Sequence, residues 1–574
     1  MRATKERPVR LRTPADAGVI AALSALDPIL ARLYGARGIK ATSELDLALR
    51  HLAPIGSLNG VEHAAEVLMA FRRRRIVVIG DFDVDGATST ALVVRCLRDF
   101  GFDDVDYLVP NRFEYGYGLT PQIVRVAAQS SPALLVTVDN GISSLEGVAE
   151  ARRHGIDVLI TDHHLPGSAL PDAAAIVNPN LSGSTFSSPH LAGVGVAFYA
   201  MAALGNAFQR RGLANAARVP ARYLDLVALG TVADVVRLDR NNRILVTQGL
   251  RRIRAGSCVA GIEALLTASA RPRERVSSTD LAFAVAPRLN AAGRLEDMSL
   301  SVECLLTDDP AAARRYAGIL DGINRERREI ETTMRDQAFS FVDRMDEAGL
   351  PDCVCVYDES WHPGIVGLIA SRVKERCHRP VIAFARDQDG QLKGSGRSVP
   401  GIHIRDLLEA VSTARPGLVP KFGGHAMAAG LSIAASSLKE FTDLACAQLA
   451  RLYPEADFSG ALVTDGGLPA GSMNLAFART LRDAGPWGAG FPEPLWCGDF
   501  ELVEHRTVGE THLKLKVCPL GGNRHIDAIA FNQAGSVHRG AVRMAYRLDV
   551  NEWRGVEAPQ LVVEQISNWV FGAT

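Results

Sequence analysis

The sequence predicts an α/β protein with a parallel-sheet domain, a long connecting helix, a second α/β domain and a small C-terminal β-barrel. Three observations predict it. Short apolar runs alternate with helical stretches from Ile76 to about Ala233. Residues 308 to about 346 form a charged stretch with no proline after Pro310. Beyond about Ala461 the pattern changes to short strands separated by turn residues.

Residues 1–70 read as a helical lead-in, with apolar runs around Ala21–Leu33 and Leu45–Leu52. Residues 71–240 read as the first α/β domain. Its apolar runs are Ile76–Ile79, Val105–Val109, Leu134–Val138, Val158–Ile160 and Ala174–Val177. Their alternation with helices predicts a parallel sheet covered on both faces. Ligands of such open sheets bind beyond the C-terminal ends of the strands.

Residues 241–346 read as a helical connector. Ile319, Ile323, Ile330, Met334 and Val342 fall roughly along one side of its last helix. Gly318 and Gly322 weaken that helix by about 1 kcal/mol each. At ~1.5 Å per residue it spans on the order of 50 Å, enough for a strut between domains. The alternative is two shorter packed helices. Residues 347–455 read as the second α/β unit. Residues 456–574 read as the barrel, with strands at Phe500–Glu504, Leu513–Val517 and Met544–Val550 and a turn at Pro519-Leu520-Gly521-Gly522.

With 574 residues, the chain suits three or four domains at roughly 100–200 residues each. Its 47% hydrophobic content argues against disorder. No stretch approaches the ~18 uncharged apolar residues of a membrane helix, so no membrane partner is expected. The basic segment Met1–Arg12 has no apolar core after it, which argues against a secretory signal. Nine scattered cysteines fit free thiols in a reducing compartment, and a cytoplasmic location is expected. The formal net charge of −1 is a mild argument against a nucleic-acid partner, because such proteins are often basic. An acidic metal site and a basic channel cancel in that sum, so the argument is weak.

The strongest signal is a set of acidic residues placed after apolar runs. Ile76–Ile79 leads into Gly80-Asp81-Phe82-Asp83-Val84-Asp85-Gly86. Three carboxylates this close resist ionising together, and a divalent cation removes that cost. Hard oxygen donors suit magnesium or manganese. A calcium loop of the EF-hand type fails, because no ligand-spaced Glu follows and the flank is a strand. An ordinary solvated turn stays open for this motif alone. Leu134–Val138 ends at Asp139-Asn140-Gly141, and Val158–Thr161 ends at Asp162-His163-His164. A fourth candidate, Asp234, follows the apolar helix or turn 223–229. In a parallel sheet these turns share one edge. Six side chains (Asp81, Asp83, Asp85, Asp139, His163 and Asp234) exceed the needs of one ion. Two ions ~3.5–4 Å apart need a bridging carboxylate and clamp both oxygens of a phosphoryl transfer. Zinc would prefer cysteine and more histidine, and no cysteine lies near these turns.

These residues resemble the DHH phosphoesterase family. Asp162-His163-His164 is its name-giving motif, and Asp81-x-Asp83-x-Asp85-Gly86 is its first. Pro110-Asn111-Arg112-Phe113-Glu114-Tyr115-Gly116-Tyr117-Gly118-Leu119, Gly230-Thr231-Val232-Ala233-Asp234 and Asn290-Ala291-Ala292-Gly293-Arg294 extend the likeness to the family's bacterial single-strand exonucleases, over about residues 40–570. One departure is small: the family text reads Glu-Gly-Tyr-Gly, and here Tyr115 stands before Gly116-Tyr117-Gly118. The resemblance implies that Asp81, Asp83 and Asp139 hold one metal. Asp85, Asp139, His163 and Asp234 hold the other, with Asp139 bridging and His164 near the scissile phosphate. Asp139 and His164 are the implied catalytic pair, and Mn2+ or Mg2+ the implied cofactors.

Arg112 follows the run ending at Val109, so it should share the metal edge, where a guanidinium can fork onto phosphate oxygens. Arg288 and Arg294 flank Asn290-Ala291-Ala292-Gly293. A lone arginine is usually a surface charge; family position reverses that for Arg112 and Arg294. In the second unit, His362-Pro363-Gly364 opens a helix whose free amides can face an anion. This unit resembles the DHH-associated domain, which implies substrate contacts at His362, Ser395, Arg397 and His425. The C-terminal barrel resembles an OB-fold, which holds single strands by stacking and a basic groove. Trp553, Tyr546 and Phe531 are its candidate platforms, with core packing equally open.

Other features read as packing. Cys353-x-Cys355 alternates within an apolar strand, Arg72–Arg75 reads as a solvated helix end, and Gly193-Val194-Gly195 lacks the strand and spacing of a dinucleotide motif. No Walker-type loop is present, so no ATP use is expected. The resemblance implies a monomeric exonuclease that hydrolyses single-stranded DNA from its 5′ end to mononucleotides in DNA repair and recombination. A single-strand-binding protein and a helicase are its implied partners. The alternatives are a small-substrate DHH enzyme acting on oligonucleotides or pyrophosphate, and a metal-free scaffold.

Overall fold

A computed structural model describes residues 6–111, 115, 118–387, 389–534 and 540–568. The chain opens with β1 (Val9–Leu11), a strand inside the segment read as a helical lead-in. It is three residues long and exposed, so no buried periodicity betrays it.

The first domain is built on β2 (Ile76–Ile79), β3 (Val105–Leu108), β4 (Leu134–Val138), β5 (Asp157–Thr161) and β6 (Ala175–Val177). All four pairings are parallel, in the order β3-β2-β4-β5-β6. Every residue of β2 and β4 is buried, as a doubly covered sheet requires. The order reverses between β2 and β4, so the crevice for a ligand opens at their C-terminal ends. Asp81 and Asp139 stand at those two ends.

A single helix, Pro310–Ala348, runs for 39 residues, about 58 Å. Asp309 caps it, accepting from the amides of Ala311 and Ala312. Its first half gives Ala313, Ala317 and Leu320 to the core of the first domain. Its second half gives Met334, Ala338 and Val342 to the core of the next. Between them lie buried Asn324, Arg327 and Glu331, with Arg327 paired to Glu331 and Arg372 donating to Glu331 at 2.9 Å. The expected apolar stripe therefore breaks at the junction, and Ile319 is 49% exposed.

The second domain carries β7 (Val354–Tyr357), β8 (Val381–Arg386), β9 (Leu392–Arg397), β10 (Lys421–Gly424) and β11 (Ala428–Ile433). Their order is β10-β11-β9-β8-β7, with only β7 and β8 parallel. Next, β12 (Leu462–Thr464) pairs in parallel with β1, tying the lead-in to the segment that precedes the barrel. The barrel closes from β13 (Trp496–Val508), β14 (His512–Pro519), β15 (Ile526–Ala530), β16 (Gly540–Trp553) and β17 (Val556–Asn568). The circuit β13-β14-β15-β17-β16 leaves no free edge. Leu33 of the lead-in packs in the barrel core, and Trp487 and Phe491 pack in the first domain's core. Buried Arg37 grips Asp465 through two bonds of 2.9 Å. The barrel is thus fixed to the first domain through the lead-in. All nine cysteines are free. Among the described residues, no helix is long and apolar enough to cross a membrane.

Candidate metal centre and substrate cleft

Each acidic side chain is set by a distinct local device. Asp81 leaves the end of β2, and Asp83 caps the helix Val84–Asp99 by accepting from the Gly86 amide at 3.0 Å. Asp85 lies in that helix's first turn, fully buried. Its two oxygens accept the amides of Gly193 at 2.6 Å and Val194 at 2.9 Å, at the start of the helix Gly193–Arg210. A helix N-terminus with free amides is a natural seat for a carboxylate. Asp139 follows β4 in the left-handed region (φ 61°), which costs a non-glycine residue about 1 kcal/mol. Asp234 ends the helix Leu224–Ala233, so this fourth acid follows a helix, unlike the three that follow strands.

These groups converge. Asp81, Asp83 and Asp139 offer ligand atoms within 4.8 Å of one another, as do Asp85, His163 and Asp234. Asp139, His163 and His164 form a third such group. His163 Nε2 lies 3.2 Å from Asp139 Oδ1 and 3.5 Å from Asp234 Oδ2. His163 Nε2 and Asp139 Oδ1 are buried, yet neither finds a hydrogen-bond partner, despite their separation.

Electrostatics point the same way. Burial, then the charge of Asp234, raises the Asp85 carboxyl to about 7. Burial, then Asp83, raises Asp234 to about 7, and burial with four neighbouring aspartates drives Asp139 well above the carboxylate range. Burial, then His164, lowers His163, which favours the neutral ring a metal needs. So many buried carboxylates ionise together only with a cation among them. The oxygen-rich donor set with one imidazole fits Mn2+ or Mg2+.

His164 behaves differently. Burial lowers its pKa, but Asp162 outweighs burial and raises it to about 9. Asp162 Oδ1 is 2.7 Å from His164 Nδ1 and accepts the backbone amides of His163 and His164. Asn178 and Asn180 fix the loop by donating to the carbonyls of His164 and His163 at 2.9 and 2.6 Å.

The residues expected to contact substrate fall into two groups. Arg294 donates to the Gly364 carbonyl at 3.1 Å, and His362 Nδ1 accepts the Gly364 amide at 3.1 Å. This turn leads into the helix Val366–Cys377. A methyl on Gly367 would meet Arg397 Nη2 at 2.9 Å and Ser395 Oγ at 3.0 Å, so both β9 side chains lie against the helix's first turn. Arg397 also donates to Ser395 Oγ at 3.0 Å. His425 instead lies over His164, with ring centroids 5.4 Å apart, and joins the two domains at the centre. Arg112 lies outside the described residues. Arg288 is a structural residue, bonded to Asp321 at 2.9 Å and to the Ala284 carbonyl. In the barrel, Tyr546 is core, whereas Trp553 is 70% and Phe531 50% exposed.

Sequence reasoning missed Gly193, Asn178 and Asn180, and gave Asn290 no role beyond its place in a motif. Asn290 Oδ1 accepts the Val84 amide at 3.2 Å and braces the loop of Asp83 and Asp85. A methyl on Gly193 would meet Asp139 Oδ1 at 2.5 Å. The signal for Gly193 was the Gly193-Val194-Gly195 pair at a helix start, set aside as a failed dinucleotide motif.

Three family models match the chain: the DHH family, N-terminal domain, over residues 75–231; the DHHA1 domain, over 351–451; and the RecJ OB domain, over 464–565. The chain is 50% identical over 553 residues to the single-stranded-DNA-specific exonuclease RecJ of Escherichia coli (strain K12), covering 94% of this chain and 96% of that protein. It is 34% identical over 540 residues to the protein of the same name from Thermus thermophilus, covering 94% and 74%. The crystal structure of the Thermus thermophilus RecJ in complex with Mn2+ superimposes with a TM-score of 0.81 at 30% identity, covering 98% of this chain and 80% of that one. The Mg2+ complex gives 0.74 at 29% identity, covering 98% and 79%.

Proposed function

The chain belongs to the RecJ single-stranded-DNA-specific exonucleases of the DHH family, and from that premise we propose how its residues divide the reaction. It is a metal-dependent exonuclease that acts on single-stranded DNA. Asp81, Asp83 and Asp139 hold one Mn2+ or Mg2+. Asp85, His163, Asp234 and Asp139 hold the second. The observation that carries this division is the pair of ligand groups, joined by the 3.2 Å approach of His163 to Asp139. When bound, the cations activate water and neutralise charge on the leaving oxygen.

The chain's own groups do the rest. Asp85 is locked by the Gly193 and Val194 amides, so its oxygens are placed before substrate arrives. Asp162 holds His164 Nδ1 at 2.7 Å and so fixes the orientation of a ring set to meet a phosphate oxygen. His425 of the second domain packs against His164, with ring centroids 5.4 Å apart. Arg294, His362, Ser395 and Arg397 gather at the N-terminus of the helix Val366–Cys377. Guanidiniums, a hydroxyl and free amides favour a terminal phosphate over an internal diester, because it carries more charge. This supports entry by the 5′ end and release of mononucleotides. The barrel supplies stacking at Trp553 and Phe531, in line with its RecJ OB match. A cytoplasmic monomer acting in repair and recombination beside a helicase and a single-strand-binding protein completes the reading.

The match runs through the barrel as well as the metal domain, which disfavours a small-substrate enzyme. All six ligands converge, which disfavours a metal-free scaffold. Strands labelled at either end, digested with Mn2+ and with chelator, test the reading. Label at the 5′ end should leave first, as mononucleotide, and only with metal. Release of the 3′ label first would overturn the polarity.

A further inference from the structure

Phe283 is 74% exposed, more than any other large apolar side chain described. It lies in a short π-helical segment, Leu281–Val285, that runs directly into the helix Ala286–Leu295. From Leu281 to Arg294 that element is buried except at Ala282, Phe283, Pro287, Asn290 and Arg294. The last four recur every three or four residues and share one side of the element. The inner end of that side belongs to the reaction centre. Asn290 bonds the loop carrying Asp83 and Asp85, and Arg294 reaches Gly364 of the second domain. Gly293, beside them, is packed so tightly on Phe82 that a methyl would meet the Phe82 carbonyl at 2.1 Å. Phe283 is the outer end of the same side, roughly 10 Å along the axis from Asn290.

We propose that Phe283 is a stacking platform for a base of the incoming single strand, a few nucleotides from the bond being cut. This rests on the exonuclease reading above and adds a substrate contact outside both the metal centre and the barrel. An aromatic ring offers nothing to a phosphate but stacks on any base. A phenyl ring this exposed contributes little to folding, and it lies on the side of the element whose inner end carries Asn290 and Arg294. The π-segment adds a residue to the turn before the helix, and such segments occur often at functional sites. Exposed Val235, next after Asp234, lies in the left-handed region at φ 60°, so the metal centre has a second solvated apolar neighbour on its rim.

The test measures release of the first nucleotide from 5′-phosphorylated oligodeoxythymidylates of graded length, with Mn2+, for the wild type, Phe283→Ala and Phe283→Trp. In the wild type KM should fall by roughly tenfold once the strand is long enough to reach Phe283. Phe283→Ala should lose that step without a change in kcat on the shortest strands or in Tm, and Phe283→Trp should restore it. One abasic substitution, walked along the strand, should reproduce the loss at a single position in the wild type and add nothing in Phe283→Ala. An unchanged length profile in Phe283→Ala overturns the proposal. So does an equal loss at all lengths, which marks a structural role. Failure of the wild type to digest any of these strands would instead sink the exonuclease reading, so the two failures are distinct.

Discussion

A methyl group added to Gly193 would lie 2.5 Å from Oδ1 of Asp139, although 54 positions separate the two residues. The same glycine's amide binds Asp85 at 2.6 Å. One backbone position thus touches a proposed ligand of each cation site. Gly193→Ala must push Asp139 aside, while the helix, formed at ordinary dihedrals, stays folded. We expect kcat to fall by at least about 100-fold, the scale of a 1 Å misplacement, with a higher Mn2+ half-saturation. Wild-type Mn2+ dependence would contradict this.

Arg397→Ala should reduce activity most on 5′-phosphorylated single strands and narrow the gap to 5′-hydroxyl strands. Arg397 and Ser395 lie against the first turn of a helix, where a doubly charged phosphate gains most. Both substrates are compared at fixed salt, because phosphate contacts are screened. An equal loss on both would make Arg397 a general backbone contact.

Trp553→Ala should leave Tm unchanged, because the ring is 70% exposed at the tip of β16. Binding to long single strands should weaken by about 1–3 kcal/mol if a base stacks there. Chemistry on short strands should not change. Truncation of the whole barrel region is a poorer test, since Trp487 and Phe491 complete the first domain's core.

Asp225 gives a pH-dependent prediction away from the metals. Its carboxyl is fully buried, accepts the Val259 amide at 2.7 Å, and has its pKa raised by burial. A carboxyl raised in the folded state favours folding below its unfolded pKa and loses that contribution as pH rises through its folded pKa. Asp225→Asn removes the charge and keeps an acceptor. The variant should therefore gain Tm relative to wild type at pH 8, and less at pH 5. A gain independent of pH would refute the account.

Much of the architecture was legible because β2, β4 and β5 are largely apolar runs, each ending in a polar turn. The three acidic turns after β2, β4 and β5 follow from that pattern and parallel pairing alone. Asp234 was harder to place, since the helix before it is buried from Leu224 to Val232 and shows no amphipathic period. Gly193 was missed because its meaning depends on Asp85 and Asp139, distant in sequence and met only after folding. Tyr546 and Trp553 look alike in sequence, but one points into the barrel and the other lies at a hairpin tip. Ile319 was misassigned because the long helix changes the partner it covers halfway along.

Asp139 placed between both cation sites has one direct test. It is the number of Mn2+ ions bound per chain, by equilibrium dialysis with metal analysis, for the wild type and Asp139→Ala. Two ions are expected for the wild type, and for a folded Asp139→Ala neither ion at the same free Mn2+, with cleavage abolished. Two bound ions and near-wild-type turnover in Asp139→Ala would contradict that placement.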